Sequence, residues 1–168
     1  MGDPFRPSNN EYDWLGPGIY FWEANPGRGL DFAQEAARRK PSRIKEPFVI
    51  GAVLELGLCL DLTTAAGIEW VRVAYDSLAK SAAAGGVQLP TNSADGLRRN
   101  LDCAVLRRLH SILDAQGLPP VDTVKGVFTE GGPVYPGAGF NEKTHIQIVV
   151  RNQQCIKGVF RVSGERPR

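Results

Sequence analysis

The sequence predicts an α+β domain. Short β-branched and aromatic runs lie toward both ends of the chain, at 18–22, 47–62, 121–128, 144–151 and 155–162. Two longer segments in the middle, at 65–84 and 95–115, carry apolar residues at helical spacing. Several strands with helices inserted between them make an α+β arrangement.

The first strand, Gly18–Trp22, follows a segment rich in Pro, Asn and Gly. A helix is expected over 27–40, with Leu30, Phe32, Ala33 and Ala37 on its apolar face. Arg38, Arg39 and Lys40 sit at its C-terminal end, where cations suit the helix dipole, and Pro41 ends it. The run Phe48–Leu56, a Gly, and then Cys59-Leu60-Asp61-Leu62 reads as strand buried on both faces. Asp61, Thr63 and Thr64 offer caps for the helix over 65–84. The next helix carries Leu97, Leu101, Val105, Leu109 and Leu113, and Gly117-Leu118-Pro119-Pro120 stops it. A Gly/Pro loop, Glu130–Gly139, precedes the strand over Thr144–Arg151, and a last strand covers Cys155–Val162.

Composition narrows the function classes. With 168 residues, the chain forms a single domain with a proper core. Its 20 basic and 18 acidic residues leave a net charge of +2, too small to argue for nucleic acid or membrane. No apolar run reaches the roughly 18 residues of a transmembrane helix, and Met1–Phe5 is not a signal peptide. The expected location is the cytoplasm. Cys59, Cys103 and Cys155 fit neither a zinc spacing nor a disulfide framework and read as reduced, mostly buried thiols. With only His110 and His145, no metal site is expected.

The most informative stretch is Leu15-Gly16-Pro17-Gly18-Ile19-Tyr20-Phe21-Trp22-Glu23. Glycine lets the backbone come close to a ligand, and Tyr20 sits at the mouth of a strand. Arg6 lies fourteen residues upstream, and Phe140-Asn141-Glu142 opens the strand that holds His145 and Gln147. Alternation puts His145, Gln147 and Val149 on one face of that strand and Ile146, Ile148 and Val150 on the other. A strand with one solvated face is the plainer account of that polar pair.

This order resembles the catalytic domain of the poly(ADP-ribose) polymerase branch of the ADP-ribosyltransferases. The match at Gly16–Glu23 is specific, and the others are weak singly. The resemblance implies a split antiparallel β-sheet core, with residues of about 63–120 as a helical insertion. It implies NAD as substrate, no metal, and transfer of ADP-ribose to a protein or nucleic-acid acceptor with release of nicotinamide. Tyr20 would be the stacking tyrosine of the family's His-Tyr-Glu set. Gly16 and Gly18 would line the cleft, Gly18 with backbone contacts to the carboxamide. Phe32 would supply a second ring, and Arg6 would contact the pyrophosphate or adenosine. Glu142 is the first candidate for the catalytic acid. His145 and Gln147 come close behind, because counting back from Ile156-Lys157 places His145 at the equivalent position. Glu130 is an outside candidate. Trp22 stands where the family usually has a small residue.

The family's first motif is a His on a strand upstream of the segment to which Arg6 would belong, and only five residues precede Arg6. The expectation is therefore weak or no transferase activity in this 168-residue form unless an antitoxin or other partner supplies the missing strand. A toxin or defence effector suits so compact a form. The alternative is a non-catalytic module that binds NAD, ADP-ribose or a partner in the same cleft. An RNA 2′-phosphotransferase is a third reading within the fold.

Overall fold

The computed structural model describes residues 5–42 and 44–162. Residues 1–4, part of the segment read above as no signal peptide, lie outside them. The elements run β1 (Ile19–Trp22), α1 (Pro26–Arg38), β2 (Ile50–Leu54), β3 (Cys59–Asp61), α2 (Ala65–Ala84), α3 (Asn100–Ala115), β4 (Thr123–Phe128), β5 (His145–Val150) and β6 (Ile156–Arg161). They make a mixed α+β fold with two sheets. The larger sheet has the order β1-β5-β4-β3, and β2 and β6 form a separate two-stranded ribbon.

Every strand pair is antiparallel except β3 with β4. The split antiparallel core that the resemblance implies is corrected at that edge. The parallel pair follows from the connection, because β3 reaches β4 through two helices, the kind of crossover that parallel strands require.

Local chemistry explains the helix starts. Asn25 caps α1 by accepting from the Arg28 amide at 3.0 Å, with Pro26 at the first turn. Thr64 caps α2 by accepting from the Gly67 amide at 3.1 Å. The start of α3 falls later than the expected 95. Ser93, Asp95 and Gly96 form their own turn, and the Asn92 side chain accepts from the Leu101 amide at 2.9 Å.

The stretch 47–62 is two strands in two sheets. Gly57 breaks it at φ 58°, and the Asp122 carboxylate accepts from the Leu58 amide at 2.9 Å. The expectation of burial on both faces also fails there. Val53 and Phe160, on opposite strands of the ribbon, are more than half exposed. A ribbon of two strands has two free edges and too little sheet to cover its own faces.

The core sits on both faces of the larger sheet. On one face, Leu60, Val124 and Val149 pack against Ala74 of α2 and Val105, Leu106, Leu109 and Leu113 of α3. On the other, Ile19, Ile148 and Val150 pack with Cys155, Leu54 and Ile156. The alternation read in β5 holds, since Val149 faces one core and Ile148 and Val150 the other. Neither face is solvated, because β5 is an inner strand covered by helices on one side and by the ribbon on the other. The helical segment at 63–120 therefore supplies half of the main core. All three cysteines are free, with Cys103 and Cys155 buried.

Candidate functional site

The site forms where the helix-covered face of the larger sheet runs out. β1 pairs with β5 in the register Tyr20↔Val149 and Trp22↔Gln147. β4 pairs with β5 as Gly126↔Gln147 and Phe128↔His145. This register brings Trp22, His145, Gln147 and Phe128 onto one face. Tyr20 and Val149, one pleat further along, face the helical core.

His145 is buried, at 5% exposed. Its Nδ1 lies 2.6 Å from the carbonyl oxygen of Lys143. A carbonyl only accepts, so in neutral His145 the proton sits on Nδ1 and Nε2 keeps a lone pair. Nε2 has no partner among the described residues. Burial holds the imidazole below its ordinary pKa, the Lys143 carbonyl works against that, and the charge of Arg28 adds to it. The Trp22 ring lies 6.4 Å from that of His145, and the Phe128 ring lies 5.5 Å away. On its other side Trp22 meets Phe32 at 5.1 Å, and Phe32 is 41% exposed, which leaves an aromatic surface open to solvent.

Four charges complete the site. Arg28, on the first turn of α1, is 8% exposed and donates from Nη2 to Glu130 Oε2 at 2.6 Å. Lys143 lies 3.0 Å from Glu35 and 3.7 Å from Glu130. The loop between β4 and β5 is thus latched to α1 by ion pairs at both of its ends. Arg28 Nε and Nη1 and Trp22 Nε1 are buried without a partner among the described residues. Each such group costs about 1–3 kcal/mol. With His145 Nε2 they concentrate at this end of the sheet; among the described residues His110 is the one such side chain elsewhere.

The residues singled out in the sequence are only partly brought together. Tyr20 donates from its hydroxyl to the Gly16 carbonyl at 2.8 Å and accepts from the Leu15 amide at 3.2 Å. Burial, and next the charge of Asp13, push its phenol far above the ordinary range. Its hydroxyl is committed to the turn before β1. Gly16 adopts φ 79° in that turn, where a side chain would be strained. Gly18 is needed for close packing, since a Cβ would stand 2.5 Å from Val149 Cγ1 and 2.7 Å from the Val150 carbonyl oxygen. Its amide and carbonyl both bond Ser8, at 3.0 and 2.8 Å, so neither is free for a carboxamide. Gln147 accepts from Trp14 Nε1 at 2.6 Å, which seats the Trp14 indole over Gly126. Arg6 is exposed, just before the bridge between Ser8 and Gly18.

Of the acids, Glu142 is exposed alongside Gly131, whereas Glu130 is 16% exposed and enters the cluster. Glu23 pairs with Lys125 at 2.9 Å, on the opposite face of the sheet. Sequence reasoning missed Arg28, Glu35 and Lys143. The only signal for Arg28 was a cation between two glycines in the first turn of an otherwise apolar helix face.

Among the described residues, no group of three or more His, Cys, Asp or Glu is placed to hold a metal ion. No helix there is long and apolar enough to cross a membrane. A cavity of about 350 Å³ lies elsewhere, lined by His110, Asp114 and Arg151 among others. Comparison of the chain with protein-family models, with curated proteins and with solved structures finds no match.

Proposed function

We propose that this chain is an NAD-dependent ADP-ribosyltransferase, moving ADP-ribose from NAD to a protein or nucleic-acid acceptor and releasing nicotinamide. One observation carries the reading. The Gly16–Glu23 segment and the strand of His145 and Gln147 lie far apart in sequence, yet they are hydrogen-bonded neighbours in register. Their side chains share one face, beside the open aromatic surface of Phe32 and Trp22.

The residues suit parts of the chemistry. Phe32 and Trp22, tilted by 46° to each other, offer aromatic faces for a nicotinamide ring and for the cationic ribose that forms as it leaves. His145 Nε2 is a lone-pair acceptor in a sheltered place, held in orientation by the Lys143 carbonyl, as a general base needs. In the proposed step the bond from ribose C1′ to nicotinamide breaks and a bond from C1′ to the acceptor oxygen or nitrogen forms. The acceptor's proton passes to His145 Nε2. A carboxylate favours the cationic ribose, and Glu130 is better sheltered for that than Glu142. Tyr20 then acts through the turn it anchors.

A second reading has its own support. Gly18, Tyr20 and Gln147 already spend their polar groups on the protein. A cleft built on them would bind NAD, ADP-ribose or a partner without turnover.

Titration calorimetry with NAD and with ADP-ribose, followed by mass spectrometry for free nicotinamide, separates the two. The transferase reading expects NAD binding with nicotinamide release, abolished in His145→Gln while the fold is kept. Binding without release would support the module, and no binding would overturn the transferase reading and leave the module only its partner-binding form.

A further inference from the structure

We propose that Arg28 is a receptor for an oxyanion, a phosphoryl or sulfuryl group, and that Glu130 occupies it until the ligand exchanges with it. The inference stands on the side-chain geometry and does not depend on the transferase reading.

Arg28 is more than nine-tenths buried, yet a single partner engages it. Glu130 touches Nη2 through one oxygen, and Nε and Nη1 have no partner among the described residues. A guanidinium presents five N–H groups in a planar fork that fits a tetrahedral oxyanion through two bonds at once. A monodentate carboxylate leaves most of that capacity unused. The unfilled capacity of Arg28 is all donor, and that capacity suits an acceptor-rich ligand.

In the exchange Arg28 gives up one carboxylate and takes an oxyanion of equal or higher negative charge. Glu130 keeps a cation, because Lys143 Nζ already stands 3.7 Å away. Glu130 opens a loop exposed over residues 131–137, and its carbonyl accepts from the Lys143 amide at 3.0 Å, so the exchange asks only for a side-chain swing.

The test is a titration of the full chain with sodium sulfate against sodium chloride at constant ionic strength, read by calorimetry and by tryptophan fluorescence. Sulfate keeps its charge from pH 5 to 9, so protonation of the probe does not confuse the result. Saturable binding is expected. Glu130→Gln removes the competing charge at nearly constant shape and should tighten sulfate binding by about tenfold. Arg28→Lys keeps the charge but loses the fork and should weaken binding by a similar factor. A gain of affinity in Glu130→Gln cannot come from misfolding. Unchanged or weaker binding in that variant overturns the proposal, as does unaltered binding in Arg28→Lys. Adding ADP to the sulfate-bound chain separates the sources. Displacement assigns the site to the phosphoryl groups of a nucleotide, and sulfate left in place assigns it to a free oxyanion. A chain that binds sulfate but neither NAD nor ADP would keep this site and sink the transferase reading.

Discussion

Val149 and His145 lie on the same face of the same strand, and both are almost fully buried. Around Val149 the neighbours are Leu60, Val124 and the apolar faces of α2 and α3, so burial there needs no further partner. Around His145 they are Trp22, Phe128, Arg28 and Glu130, and burial leaves polar atoms without bonds. The first end has the composition of a core whose burial drives folding. The second is buried at a cost in unmade hydrogen bonds, and that cost marks it as the candidate functional end.

The largest test of this contrast is at the Arg28–Glu130 pair. Arg28→Met leaves the Glu130 carboxylate with Lys143 alone, 3.7 Å away, and should cost about 3 kcal/mol in a urea unfolding titration, the low end for breaking a buried pair. Adding Glu130→Leu removes the under-paired charge and should recover most of that loss. If the pair serves the fold, the double variant stays as unstable as the single one. If it serves a ligand, stability returns while oxyanion binding does not.

A pH series sharpens the comparison from the other side of the molecule. Burial, aided by the charge of Arg151, lowers the pKa of His110 to about 4. The unfolded chain takes up this proton near the ordinary pKa of about 6.5, before the folded chain does. Stability is therefore complete above that value, falls as pH drops toward 4, and changes no further below 4. The loss is about 3 kcal/mol at most for a shift of this size. Thermal melts over pH 4–7 should show a shallower slope in His110→Gln than in wild type, with buried His145, whose pKa is also lowered, keeping part of it. Equal slopes would mean that other groups carry the acid sensitivity.

The fold was legible where its signals are local. Thr64 and the apolar spacing behind it placed α2, and simple alternation assigned the two faces of β5 correctly. The long strand read at 47–62 failed because periodicity does not tell how many neighbours a strand will have. The break at Gly57 is held by Asp122, far along the chain. The candidate site was legible in Phe32, Trp22, His145 and, as an outside candidate, Glu130, and illegible in Arg28, Glu35 and Lys143. Arg28 and Glu130 are 102 residues apart, and neither stands in a pattern that names its partner.

Tyr20 gives the smallest effect and the sharpest reading of the resemblance. In a stacking role the ring matters and the hydroxyl is secondary. In this fold the ring packs against the helical core, and the hydroxyl ties the Leu15–Gly16 turn through two hydrogen bonds. Tyr20→Phe keeps the ring and should cost about 1–2 kcal/mol, the worth of bonds whose protein partners are left unmet. It should leave ligand binding at Trp22 and His145 within about twofold, since a change well below 1.4 kcal/mol in the site is under a factor of ten. A variant with unchanged stability but lost NAD binding would return Tyr20 to the cleft, and the boundary between core and site would then move one pleat up β1.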